Sequence, residues 1–122
     1  MEVSIKRIYD EPRDSDGIRI LVDRLWPRGI IKERAKIDEW VKEIAPSEKL
    51  RKWFNHDLNK WSEFKKKYTE ELKNKEAEKL LLKIEDRKAT LLYGAKDSEH
   101  NDAIVLRDFL IKMEVKKNGK RT

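Results

Sequence analysis

Apolar residues recur along this chain with two different periods, and each period predicts a different element. Near the start, Val3 and Ile5, and less regularly Ile8, alternate with charged neighbours, the period of a strand spanning residues 3–9. The run Glu11-Pro12-Arg13-Asp14-Ser15-Asp16-Gly17 that follows is turn chemistry. Residues 18–22 form a short β-branched and apolar stretch ending at Asp23, a second strand, after which Trp26-Pro27-Arg28-Gly29 forces the backbone out of regular structure.

Beyond residue 36 the period lengthens. Ile37, Trp40, Val41 and Ile44 share one helical face, and Pro46 stops that helix. Ser47 is placed to cap a short helix carrying Leu50, Trp53 and Phe54, which Asn55-His56-Asp57 breaks, with Asp57 capping the next. There Trp61, Phe64, Tyr68 and Leu72 make one stripe against a lysine- and glutamate-rich outer face. A further helix is expected over residues 75–86 with Leu80, Leu81 and Ile84 inward, a buried strand over 89–93, a loop over 94–98, and a closing helix over 99–113 burying Val105, Leu106, Phe109, Leu110 and Met113.

Strands separated by helices imply an α/β fold: a small open, mostly parallel sheet of about three strands with helices packed on it. The long connection from residues 18–22 to 89–93 is a crossover and joins parallel strands, whereas the first two strands are joined too briefly to fix their relative direction. Residues 1–111 are expected to form a single domain, and 112–122 a helix end with a basic, frayed tail. No internal repeat is present.

Composition narrows the function classes. A chain of 122 residues can bury a core unaided, and the absence of cysteine excludes disulfides, thiol nucleophiles and thiolate metal sites, which suits a cytoplasmic location. No apolar run is long enough for a signal peptide or a membrane span. The net charge of +6 is uneven: residues 112–122 carry five Lys or Arg against one Glu, leaving +2 for the rest. Nucleic-acid binding is therefore weakly supported by charge alone.

In open α/β sheets, ligands settle beyond the carboxyl ends of the strands. Two loops occupy that location, Asp23-Arg24-Leu25-Trp26-Pro27-Arg28-Gly29 and the polar stretch from Gly94 to Asp102. The blocks Leu21-Val22-Asp23-Arg24-Leu25-Trp26-Pro27-Arg28-Gly29, Asp38-Glu39-Trp40, Leu50-Arg51-Lys52-Trp53-Phe54-Asn55-His56-Asp57 and Leu91-Leu92-Tyr93-Gly94-Ala95-Lys96-Asp97 with Glu99-His100-Asn101 resemble, in order, the YeaO-like branch of domain of unknown function 488. The resemblance reaches to Leu110 and implies an α/β fold, without an established activity or catalytic residue to carry over. Related branches place cysteines around the loop that here reads Tyr93 to Asn101, and this chain has none.

On their own chemistry, Asp23 and His100 are the acid and base candidates. Asp23 follows a buried strand, where a partly desolvated carboxylate works as a base beside Arg24 or Arg28 holding an anion; the alternative is an Asp23–Arg ion pair that fixes the loop. His100, near the start of the last helix, can shuttle protons near neutral pH, or be a solvated first-turn residue behind a cap at Asp97 or Ser98. Lys96 is a candidate anion clamp and Tyr93 can offer its hydroxyl; Trp26, Asp97 and Asn101 complete the expected ligand-binding set. His56, before the capping Asp57, reads as structural, and two distant histidines without cysteine make no metal site. Trp40, Trp53 and Trp61 fall on apolar stripes and read as core. No phosphate-loop, dinucleotide or hydrolase motif occurs, so no cofactor is named. The expected partner is a small anionic or nucleotide-like molecule, bound or transformed at the strand ends; the alternatives are a nucleic-acid-associated module and a non-catalytic scaffold.

Overall fold

Residues 89–93, apolar apart from Thr90, lie within the central strand of a four-stranded parallel sheet in a computed structural model that describes residues 1–119. The strands are β1 (Glu2–Arg7), β2 (Ile18–Leu21), β3 (Glu39–Trp40) and β4 (Lys88–Tyr93), in the order β1-β4-β2-β3. A strand covered on both faces has no need to alternate polar with apolar residues, and β4 is buried from Ala89 to Tyr93. β1, at an edge, keeps its alternation: Val3 and Ile5 pack on the main core while Glu2 and Ser4 are exposed.

The two faces differ. One is covered by the helices α2 (Glu48–Phe54), α3 (Trp61–Glu71), α4 (Lys75–Ile84) and α5 (Asp102–Gly119). Among the described residues it holds twenty buried core residues against four on the other face, so at roughly 1.5–3 kcal/mol per large side chain most hydrophobic stabilisation comes from the helical side. Ser47 caps α2 through Leu50 N–H (3.1 Å) and is itself held by Glu71, whose carboxylate takes the Ser47 amide and hydroxyl at 2.8 and 2.7 Å. Phe54 stacks on Phe64 at 4.3 Å, which locks α2 to α3. Among the described residues no helix is long and apolar enough to cross a membrane.

The opposite face is covered by loops and the single turn α1 (Lys32–Ala35), over a small cluster of Ile8, Leu21, Ala35 and Leu92. Here residues 8–17 carry the chain from β1 across β4 to β2, so strands joined by a short loop are nonetheless parallel. Asp16 anchors this crossing. Its carboxylate takes Arg19 Nη1 (2.6 Å), Lys6 Nζ (3.2 Å) and the Arg13 amide (3.0 Å), while its carbonyl takes Thr90 Oγ1 (2.7 Å). Burial acts to raise the Asp16 carboxyl's affinity for a proton, but the hydrogen bonds from Arg13, Lys6 and Arg19 outweigh it and hold the group below the usual range. Arg19, buried inside β2, also donates to the carbonyls of Ala35 and Lys36, so a charge in the sheet is fully partnered.

Two expected helices are corrected. Residues 37–44 form β3 and a 3-10 turn (Lys42–Ile44) instead, because the open edge of β2 offers a better set of backbone partners than an isolated short helix: Asp38 N–H donates to Arg19 O (2.7 Å) and Val41 N–H to Leu21 O (2.9 Å). The four residues read as one stripe split between the faces, Ile37 and Trp40 joining the loop-side cluster, Val41 and Ile44 the helical core. The last helix begins at Asp102, not at residue 99. Asp97 accepts the Glu99 and His100 amides in a tight turn, and Asn101 then caps the helix through Ile104 N–H (3.0 Å). α5 continues past residue 113 to Gly119, with Lys117 paired to Glu85 at 2.8 Å; the last three residues of the expected basic tail lie outside the described residues.

Candidate functional site

β2 and β4 are hydrogen-bonded neighbours, so the loops leaving their carboxyl ends emerge together. Val22 N–H reaches Leu92 O (3.1 Å), and one residue on, Asp23 Oδ2 accepts the Gly94 amide at 2.8 Å. A Cβ at Gly94 would stand 3.2 Å from that oxygen, a tight approach that glycine relieves. The Asp23 carbonyl takes Trp40 Nε1 (2.7 Å), the Trp26 indole donates to Ile30 O (2.7 Å), and the two rings meet edge to face at 5.5 Å. The loop after β2 is therefore set by the two tryptophans and not by an Asp–Arg pair. Arg24 turns its guanidinium to the carbonyls of Pro46 (3.2 Å) and Ala45 (3.3 Å).

These loops border a cavity of about 460 Å³. Asp23 and Asp102 line it from the strand-end loop and the start of α5. Arg24 contributes from the first loop; Arg51, Lys52 and His56 contribute from α2 and the turn after it. Phe54 and Phe64 form an aromatic wall, and Tyr9, Leu25 and Trp26 an apolar lip. The turn that presents His56 is strained: Asn55 and His56 are consecutive left-handed residues, φ 44° and 56°. Asparagine tolerates this at a helix C-cap, but histidine has a Cβ clash costing roughly 1–2 kcal/mol, sustained by the packed Phe54 before it.

Asp102 and Asp23 line the cavity together, with their carboxyls within hydrogen-bonding reach. Enclosure by protein, then the charge of Asp23, then a hydrogen bond with Asp23 raise the Asp102 carboxyl well above the usual range, although the residue keeps partial exposure through the cavity. The group therefore holds its proton to higher pH than an ordinary aspartate, and as an acid it can donate to Asp23. Burial, followed by the nearby charges of Asp102 and Asp23, likewise raises the Tyr68 phenol, whose hydroxyl donates to Ile44 O at 2.8 Å. Among the described residues no Lys, Arg or His forms an ion pair with either acid.

Of the residues singled out in the sequence, Asp23, Arg24 and Trp26 line the cavity. Arg28 is exposed outside it, offering only its carbonyl to Tyr9 Oη (2.7 Å). Tyr93 is buried in the main core. Lys96 is exposed away from the lining. Asp97 and His100 pair with each other (3.0 Å), and the imidazole rests against Trp61 at 5.2 Å, outside the cavity. Asn101 is buried as a cap, its amide donating to Asp97 O (3.0 Å). The geometry thus joins Asp23 to Asp102 and puts His56 at the cavity, where the sequence pairs Asp23 with His100 and reads His56 as structural. Asp102 resembles any first-turn acid in sequence, and Arg51 and Lys52 any solvated helix face; only the left-handed Asn55-His56 turn left a local trace, as a helix break.

Comparison with known proteins gives the family. The family model described as "Inactive DUF488-N3 subclade" matches residues 2–122. The chain is 48% identical over 112 residues to the uncharacterized protein YeaO of Escherichia coli K12, covering 90% of this chain and 97% of that protein. Uncharacterized proteins of Mycobacterium tuberculosis strain H37Rv and of Mycobacterium bovis are each 40% identical over 85 residues, 70% of this chain and 72% of theirs. No solved structure matches the chain. With a family model spanning nearly all of it and a close relative matched along almost its full length, this chain belongs to the YeaO-like branch of the DUF488 family.

Proposed function

We propose that this protein is a binding domain for a small anionic molecule, held in the cavity beyond the carboxyl ends of β2 and β4. The observation that carries the reading is the basic lining of the cavity: the cations Arg51 and Lys52, with the His56 imidazole beside them, border it together with Arg24. Among the described residues, Arg51 and His56 form no ion pair, and Lys52 is engaged only with Glu48 at an exposed surface (3.0 Å), a bond worth at most about 1 kcal/mol and readily exchanged. A charge-assisted bond to a ligand in a partly enclosed hollow is stronger. The description of the matching subclade as inactive supports binding without turnover.

The test is thermal unfolding of the protein with a panel of phosphates and carboxylates, repeated on the Arg51→Ala/Lys52→Ala double variant. A ligand present at a hundredfold its Kd stabilises the native state by about 2.7 kcal/mol, so the transition rises in the wild type and the rise is lost in the variant. A panel without effect, or a rise that survives in the double variant, sinks the reading. A second reading, an enzyme with Asp102 as acid and Asp23 as base, is favoured by the raised Asp102 beside an acceptor carboxylate. It differs in one outcome: the bound ligand is consumed, and Asp102→Asn binds it without consuming it. Nucleic-acid association has less behind it, since Lys117 of the basic tail is tied to Glu85.

A further inference from the structure

We infer that the ligand of this cavity is a nucleoside monophosphate, its phosphate at Arg51, Lys52 and His56 and the hydrogen-bonding edge of its base at Asp23 and Asp102. The inference rests on the anion-site reading above and adds the other end of the ligand. A free phosphate or a simple dicarboxylate accounts for the cations alone. It is repelled by the acidic end of the same hollow, where two carboxyls sit together and, among the described residues, neither forms an ion pair.

That acidic end is suited to N–H donors. Asp23 has one oxygen tied to the Gly94 amide and Asp102 has one tied to the Ala103 amide (2.9 Å), so each carboxyl keeps a second oxygen; both residues line the cavity, and the raised proton affinity of Asp102 sets a donor beside the Asp23 acceptor. Adjacent acceptor and donor atoms of this kind match the edge of a nucleobase, which is read in enclosed pockets by hydrogen bonds at its edge and apolar side chains on its faces. The apolar surface is present as well. Leu25 is 60% exposed and Tyr9 43% exposed at the lip, beside Trp26, so large apolar groups face the hollow instead of the core. A flat heterocycle covers them; an aliphatic ammonium ion would satisfy the acids and leave them wet. The volume of about 460 Å³ suits one mononucleotide and is too small for an oligonucleotide.

Isothermal titration calorimetry on the full chain at pH 7, with AMP, GMP and CMP against ribose 5-phosphate, inorganic phosphate, adenosine, guanosine and cytidine, tests this directly. At least one nucleotide is expected to bind roughly tenfold or more tightly than ribose 5-phosphate and than its own nucleoside, the gain typical of one or two charge-assisted hydrogen bonds. Asp23→Asn should reduce that preference and leave ribose 5-phosphate binding in place, while Arg51→Ala should weaken both about tenfold. Asp102→Asn serves as the second variant if Asp23→Asn unfolds, since it alters the same edge from the other side. Ribose 5-phosphate or phosphate binding as tightly as every nucleotide, or a base preference untouched by the acid variant, overturns the inference while the anion site stands. Binding by none of the eight compounds overturns both.

Discussion

A carboxyl enclosed beside a second carboxyl binds its proton more tightly than it does in the unfolded chain, and that difference has a thermodynamic signature. Asp102 is raised by enclosure, by the charge of Asp23 and by its hydrogen bond to Asp23, and the Tyr68 phenol lies within electrostatic reach of both acids. The native state therefore holds a proton that the unfolded chain has released above about pH 4. Between the ordinary carboxylate range and the raised native value, the folded form binds more protons, so stability falls as pH rises, by up to about 1.4 kcal/mol per pH unit. Asp102→Asn removes this slope. Urea unfolding of both proteins from pH 4 to 8 should show the wild type losing ground to the variant as pH increases; parallel curves would refute the raised proton affinity of Asp102. None of this was visible in the sequence, where Asp102 is one acid among many at a helix start, and where His100 looked the better partner for Asp23 because it is rarer and titrates near neutrality.

Elements were legible where the apolar period was long and the caps were chemical. Ser47 caps where expected, Asp57 caps the 3-10 turn (Leu58–Lys60) that leads into α3 and not α3 itself, and the Trp61-Phe64-Tyr68-Leu72 stripe packs as a helix face. The failure at residues 37–44 has a specific cause: over eight residues, a strand followed by a tight turn can mimic helical spacing, and pairing with β2 decides the matter. The short crossing from β1 to β2 depends on one backbone position. Gly17 has φ +67°, and a Cβ there would lie 2.3 Å from Lys88 O, whereas Gly29, at φ +81°, has open space around it. Gly29→Ala should cost only the left-handed backbone penalty, roughly 1–2 kcal/mol. Gly17→Ala adds a clash with the central strand, a further 1–3 kcal/mol or so, and urea midpoints of the two variants compare them directly. Equal losses would show that residues 8–17 do not press on β4.

At the scale of the whole molecule, β4 is the element on which the others depend. It pairs with β1 and β2, is buried on both faces, and sends its carboxyl-end loop to meet that of β2. Hydrogen exchange should find the amides of β4 and β2 slowest, opening only with global unfolding, and those of the two-residue edge strand β3 much faster. Slowest exchange in β3 or in the loop-covered side would contradict the distribution of core residues between the two faces. A ligand in the cavity should also slow exchange at Gly94, whose amide is bound to Asp23.

Local chemistry in the chain determined most helices and three of the strands, because periodicity, caps and turn residues act over a few neighbours. It also placed the important loops at strand ends, through the Trp26-Pro27-Arg28-Gly29 break and the polar run after Tyr93. Tertiary structure alone decided that β1 runs parallel to β4, that residues 39–40 add an edge strand, and that His56 and not His100 reaches the cavity. It also brought Asp23 against Asp102. Those outcomes hang on partners far apart in the chain, 71 residues for the Asp23–Gly94 bond, and no local pattern encodes which distant group will be met.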